Sequence, residues 1–198
     1  MASDSRRLSI LTAQEIDDLY GLPRFTEEDR QIYFDLSLTE RELVDGVFTI
    51  SVTVHLVLQL GYFKAKRQFY AYSVEEVTED VKHILRRYFP AKDIAEIKDR
   101  SRSTRQEQQQ LILKLFDYRL CTAAVKADLE QKALRVAMLS THPIFILREA
   151  LQYLVHQRIV ASGYTYLQDM VGQTVSSNER PARPSADLGS RAATQDAD

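Results

Sequence analysis

Thr49-Ile50-Ser51-Val52-Thr53-Val54-His55-Leu56-Val57-Leu58-Gln59-Leu60 is the stretch that decides the fold, because two readings compete for it. Ile50, Val52, Val54, Leu56, Leu58 and Leu60 alternate with Thr49, Ser51, Thr53, His55, Val57 and Gln59, and alternation rich in β-branched residues reads as a strand. Helical spacing has support too: Val52, Leu56, Gln59 or Leu60, and Phe63 recur every three to four residues. No neighbouring segment offers a partner strand, and a lone strand leaves its backbone groups unpaired. The helix reading is therefore preferred.

Outward from this stretch, start and stop signals mark helices. Thr12 with Glu15 forms a capping box for a short helix that stops near Gly21-Leu22-Pro23. A second helix starts near Thr26, carries Ile32, Phe34 and Leu36, and breaks at Ser37. Thr39 with Glu42 opens a third. The tight turn between them suits a helix-turn-helix-like element, as it suits any helical bundle. Gly61 to Tyr72 reads as a turn in which Lys64, Lys66 and Arg67 are interleaved with aromatic residues. Such a segment can hold a nucleic-acid backbone, or it can plug a helix junction with lysine stems over rings. Ser73 with Glu76 caps a helix that carries Val74, Val77, Val81, Ile84 or Leu85, and Tyr88 on one face, and Pro90 ends it. Arg86 and Arg87 in its last turn complement the helix dipole.

A basic run, Lys98-Asp99-Arg100-Ser101-Arg102-Ser103-Thr104-Arg105, leads into the next helix. Thr104 with Glu107 forms its capping box, and Leu111, Ile112, Leu115 and Phe116 its apolar face. A helix N-terminus offers unpaired N–H groups and partial positive charge, so arginines there suit a phosphate. A solvated charged loop before an ordinary helix explains the same spacing. Two further helices place Val125, Leu129, Val136 and Ala137, then Ile144, Leu147, Leu151, Leu154, Val155 and Ile159, inward. A short segment, Thr165 to Val171, closes the apolar pattern. Residues 173–198, rich in Ser, Ala, Arg and Pro, bury too little to offset the entropy of ordering and are expected to form a disordered tail.

The 198 residues, 44% hydrophobic and 27% charged, suit one ordinary domain or two small helical ones, divided near residue 70. The net charge of −2 means that any nucleic-acid contact comes from local patches. A single cysteine, Cys121, excludes an intramolecular disulfide and reads as a packed side chain. No apolar run reaches the roughly 20 residues of a membrane span, and Met1 to Arg7 lacks a secretory signal, so a cytoplasmic protein with no membrane partner is expected. His55, His83, His142 and His156 are too scattered for a metal site, and no phosphate-binding glycine loop or nucleophile elbow is present. No cofactor is expected.

Several segments together resemble the N-terminal region of Tn-three-type transposases, the enzymes of class II replicative transposons. Leu11-Thr12 with Glu15, Leu19 and Pro23 resembles the opening of that region, and Leu58-Gln59-Leu60-Gly61-Tyr62-Phe63-Lys64 its "L-Q-L-x-Y-x-K/R". Tyr88-Phe89-Pro90 resembles the end of the following helix. Thr104-Arg105-Gln106-Glu107 through Leu115-Phe116-Asp117-Tyr118-Arg119 resembles "T-R-x-E/Q … L-G-Y-R". Gln157-Arg158-Ile159-Val160, with Gly163-Tyr164 and Leu167-Gln168, resembles "R-I-V-x-P-G-Y-x-x-L", with Ala161-Ser162 where the pattern has a proline before the glycine. The pieces keep their order over about residues 8–172.

The resemblance implies an all-α, multi-helix domain over residues 1–172, with a helix at 49–60. It also implies a truncated or stand-alone product without the distant domain whose three carboxylates hold divalent metal, and hence no enzyme. Its expected ligand is double-stranded DNA at the terminal inverted repeats, and full-length transposase is a second candidate partner. The basic clusters Lys64, Lys66, Arg67 and Arg100, Arg102, Arg105 are the candidate DNA contacts. A helical protein-interaction module, or a decayed fragment without DNA binding, is the competing expectation.

Overall fold

The computed structural model describes residues 8–47 and 49–178. In chain order the elements are α1 (Ala13–Tyr20), α2 (Glu27–Tyr33), α3 (Leu38–Asp45), α4 (Ile50–Lys66), α5 (Thr78–Tyr88), a 3-10 turn (Ile94–Glu96), α6 (Arg102–Phe116), β1 (Arg119–Leu120), α7 (Ala123–Ala137), α8 (Pro143–His156), β2 (Ile159–Val160) and α9 (Tyr164–Asn178). The fold is a multi-helix, all-α architecture with one two-residue parallel ladder.

The disputed stretch is helical and continues beyond Gly61 to Lys66, so the expected turn at 61–72 is helical over its first half. Its strand-like alternation has a physical origin. α4 runs through the middle of the first core, packed by α2, α3, α5 and α6, so Thr53 to Phe63 are buried on every face. A helix enclosed all round needs no polar stripe, and its composition then carries no helical period. Its polar residues find backbone partners. Gln59 donates from Nε2 to the Tyr70 carbonyl at 3.0 Å, and Thr53 from Oγ1 to the Thr49 carbonyl at 3.0 Å.

Two hydrophobic cores lie along the chain. Phe34, Leu36, Val44, the buried face of α4, Val77, Val81, Ile84, Leu85, Ile97, Ile112 and Leu113 make the first. Leu11, Val125, Leu129, Val136, Ile146, Leu147, Leu154, Leu167 and Val171 make the second. Tyr70 belongs to the first, and the changeover falls between Tyr118 and Cys121. There β1 and β2 pair in parallel, Arg119 with Ile159 and Leu120 with Val160. Val160 packs into the first core and Ile159 into the second, so this short ladder forms the seam.

Several caps sit elsewhere than the spacing suggests. Ser37, not Thr39, opens α3, with Glu40 completing the box, because Ser37-Leu38-Thr39-Glu40 satisfies the same pattern two residues earlier. Ser101, not Thr104, caps α6 and accepts from the Thr104 amide. The Ser73–Glu76 box opens a turn, and helix α5 proper begins at Thr78. On α6, Leu113 is buried and Leu111 faces solvent. Ile32 and Val155 are exposed as well, against expectation. α9 runs to Asn178 with Thr174 buried, so residues 173–178 belong to the fold; the rest of the expected tail, 179–198, lies outside the described residues. No described helix is long and apolar enough to cross a membrane.

Candidate nucleic-acid interface

The two expected basic clusters meet α4 at different places. Lys64 and Lys66 occupy its last turn and Arg67 is its C-cap, whereas Lys98 is pinned to its first turns. Ser51 donates from Oγ to the Lys98 carbonyl at 2.8 Å, and His55 donates from Nε2 to the same oxygen at 2.9 Å. Arg100 lies further along, sharing the Tyr70 carbonyl with Gln59.

The first cluster is committed to packing. Lys64 donates from Nζ to the Asp35 carbonyl at 2.6 Å and lies 3.4 Å from the buried Glu40 carboxylate. Lys66 donates to the carbonyls of Gly21 and Asp17 at 2.9 and 3.3 Å, and partial burial lowers its pKa from the ordinary lysine value. The Arg67 guanidinium stands 5.4–5.7 Å from the ring centroids of Phe116, Phe63 and Tyr118. Arg67 itself has φ 54°, a left-handed cap made without glycine.

The second cluster is more open. Arg100 bonds Gln108 Oε1 at 2.7 Å and the Tyr70 carbonyl at 3.2 Å, and lies over the Tyr72 ring at 4.9 Å. Burial lowers its pKa from the usual arginine value, and its Nε has no partner. Gln108 in turn donates to the Val52 carbonyl at 2.8 Å, which ties the start of α6 to α4. Arg102 is exposed with no partner among the described residues, and half-buried Arg105 leaves its Nε unpaired. Both lie in the first turn of α6, which holds no carboxylate. Of the neighbouring carboxylates, Asp99 is engaged by the Val74 amide at 2.9 Å.

Negative charge collects elsewhere. Asp17, Glu75, Glu76, Glu79 and Asp80 line a cleft with Arg24 and Arg30, between the α1–α2 connection and the start of α5. The near-neutral total charge thus hides local segregation, which sequence composition cannot display. Among the described residues no group of three or more His, Cys, Asp or Glu side chains could hold a metal ion.

Sequence reasoning missed a third set of basic groups. Asp117, Tyr118, Arg119, His156, Gln157 and Arg158 line one open cleft at the seam. The two arginines lie in motifs 39 residues apart, and only the β1–β2 ladder brings them together. The match to a known family covers residues 10–174, nearly all that is described, and its description is a domain of unknown function, DUF4158. The chain belongs to the DUF4158 family. No curated protein matches it. For this DUF4158 chain, then, the geometry of the basic groups carries the functional argument.

Proposed function

We propose that this chain is a non-catalytic DNA-binding module of a Tn-three-type transposase that recognises the terminal inverted repeats of the transposon. The ordered motif resemblance over residues 8–172 supplies the transposase context. The observation that carries the DNA reading is the first turn of α6. Arg102 and Arg105 stand at the positive end of a 15-residue helix with no carboxylate in that turn. Cations there oppose the dipole at a cost of about 0.3–1 kcal/mol each, which a bound phosphate reverses. Arg102 is exposed and makes no hydrogen bond among the described residues, so its guanidinium is open to a phosphate. Arg102 and Arg105 therefore lead the interface, Arg100 anchors the loop before them through Gln108 and the Tyr70 carbonyl, and Lys64, Lys66 and Arg67 support the fold.

Mobility-shift titration against a Tn-three-type inverted-repeat duplex and a scrambled duplex tests the reading. Both should be retarded at low salt, the repeat at lower protein concentration. Failure to retard either duplex at 50 mM salt overturns DNA binding. Supercoiled plasmid carrying the repeat should stay intact in Mg²⁺ or Mn²⁺, and nicking that co-purifies with the chain overturns the non-catalytic half.

One observation favours a protein-interaction module instead. Met138 and Leu139, 79% and 84% exposed at the end of α7, stand out with Leu134 and Phe145. Concentration-dependent sedimentation abolished by Met138→Ser and Leu139→Ser, without any DNA shift, would select that reading.

A further inference from the structure

We infer that Arg119, Arg158 and His156 form a second phosphate-binding site, at the seam between the two cores and at the far end of α6 from Arg102. The inference takes the identity of its ligand, nucleic-acid backbone, from the DNA reading; its chemistry rests on the cleft alone. The cleft measures about 360 Å³, is open to solvent and is lined by Asp117, Tyr118, Arg119, His156, Gln157 and Arg158. It offers two guanidinium groups, an imidazole, an amide and a phenol, against one carboxylate.

The obvious alternative is that these cations merely complement helix C-termini, since α6 ends at Phe116 and α8 at His156. The backbone already does that capping. The Asp117 amide donates to Leu113 and Lys114, the Tyr118 amide to Leu113, the Gln157 amide to Tyr153 and the Arg158 amide to Val155. The Arg119 amide takes the Arg158 carbonyl at 3.0 Å. The carbonyls of Leu113, Lys114, Tyr153 and Val155 are thus taken by backbone amides, and neither guanidinium bonds a carbonyl at these helix ends. Arg119 is exposed with no side-chain partner among the described residues. Arg158 makes one loose pair with Asp117, at 3.4 Å, with both groups largely in water, an interaction worth about 0–1 kcal/mol and easily exchanged for a phosphate.

Backbone conformation adds an independent sign. The non-glycine residues at positive φ among those described are Arg67, Asp117 and Arg158, at 54°, 55° and 49°. All three meet around this seam: Arg158 pairs with Asp117, and Arg67 stacks on Tyr118, which lines the cleft. Arg67 and Asp117 are the left-handed C-caps of α4 and α6, and Arg158 follows the end of α8, so three helix ends converge on the seam. α6 spans 15 residues, about 22 Å, and the two phosphate sites lie at its opposite ends.

Side-chain NMR of the full chain, labelled with ¹⁵N arginine, tests this with two probes, inorganic pyrophosphate and a 20-base-pair duplex. Both should move the Arg119 and Arg158 signals. Arg119→Gln with Arg158→Gln should leave the melting temperature unchanged and flatten the log–log salt slope of duplex binding by roughly two units. Pyrophosphate shifts without duplex shifts would assign the site to a free phosphate ester and overturn the nucleic-acid ligand. Duplex retardation with an unchanged slope in the variant, and unmoved Arg119 and Arg158 signals, would overturn the seam site while leaving DNA binding through α6 intact. If no duplex binds at all, the DNA reading fails, and the pyrophosphate arm alone upholds or overturns the site's chemistry.

Discussion

Tyr62 donates its phenolic hydrogen to Asp80 at 2.6 Å, and the second oxygen of that carboxylate accepts from Arg30 Nε at 2.7 Å. This buried relay joins α2, α4 and α5 at the centre of the first core. Burial, reinforced by the negative charge of Asp80, pushes the Tyr62 pKa far above its ordinary value, so it remains a donor at any working pH. Tyr62→Phe should cost about 1–3 kcal/mol, because a desolvated carboxylate oxygen loses its partner. Asp80→Leu strips the partner from a mostly buried arginine as well and should cost about 3–5 kcal/mol. Urea denaturation of the two variants should give that order.

Gly61 lies in the middle of α4, where alanine ordinarily gains about 1 kcal/mol of helix stability. Here a Cβ would overlap the Phe34 ring and stand 3.3 Å from the Tyr33 carbonyl. Phe34 is fully buried and cannot swing away, and overpacking costs about 1–3 kcal/mol. Gly61→Ala should therefore destabilise. Phe34→Leu should recover part of the loss in the double variant, giving a coupling that thermal melts can read.

His55 gives the protein an acid-sensitive step above the carboxylate range. Its Nε2 donates to the Lys98 carbonyl, so Nδ1 is unprotonated, and that atom is buried without a partner. Burial lowers its pKa below 6.5, assisted by the charges of Arg100 and Arg105, while the Lys98 carbonyl and Asp99 pull the other way. Tyr72 stacks on the ring. The unfolded chain then takes up a proton near pH 6.5 that the folded chain refuses. Stability is full above that value and falls as pH drops from it toward the folded pKa. Denaturation midpoints should decline between pH 7.5 and 5.5, and His55→Gln should remove this share of the decline. The capping carboxylates Glu15 and Glu76, lowered by bonds from Thr12 and Ser73, lose their contribution only below pH 4.5.

Helix content was legible because capping boxes are local chemistry: Thr12 with Glu15 stands where the spacing puts it. α4 was ambiguous because its burial is set by four other helices, and an enclosed helix loses its own period. The cap of α6 was misplaced by one turn because Ser101 and Thr104 are both competent caps, and the Ser101 hydroxyl, 2.9 Å from Thr104 Oγ1, takes the position. The roles of the basic residues were the least legible part. Lys64 and Arg102 look alike in sequence, but one points at a carbonyl and the other at water. The seam site could not be read at all, since a two-residue ladder leaves no signal long enough for a period.

That contrast between lysines and arginines gives the last prediction. Lys64→Met removes the donor to the Asp35 carbonyl and the cation beside buried Glu40, whose remaining bond is from the Ser37 amide at 2.7 Å. Lys66→Met removes the tie that holds the Asp17 and Gly21 carbonyls against α4. Each substitution keeps the aliphatic stem, so the loss is that of the polar contacts, about 1–3 kcal/mol apiece. The pair should lower the melting temperature and leave the salt slope of duplex binding unchanged. Arg102→Gln with Arg105→Gln should do the reverse: neither guanidinium makes a hydrogen bond among the described residues and both oppose the α6 dipole, so the melting temperature rises slightly, while the slope flattens by roughly two units. If the lysine pair flattens the slope at an unchanged melting temperature, the end of α4 touches phosphate and its carbonyl bonds are incidental.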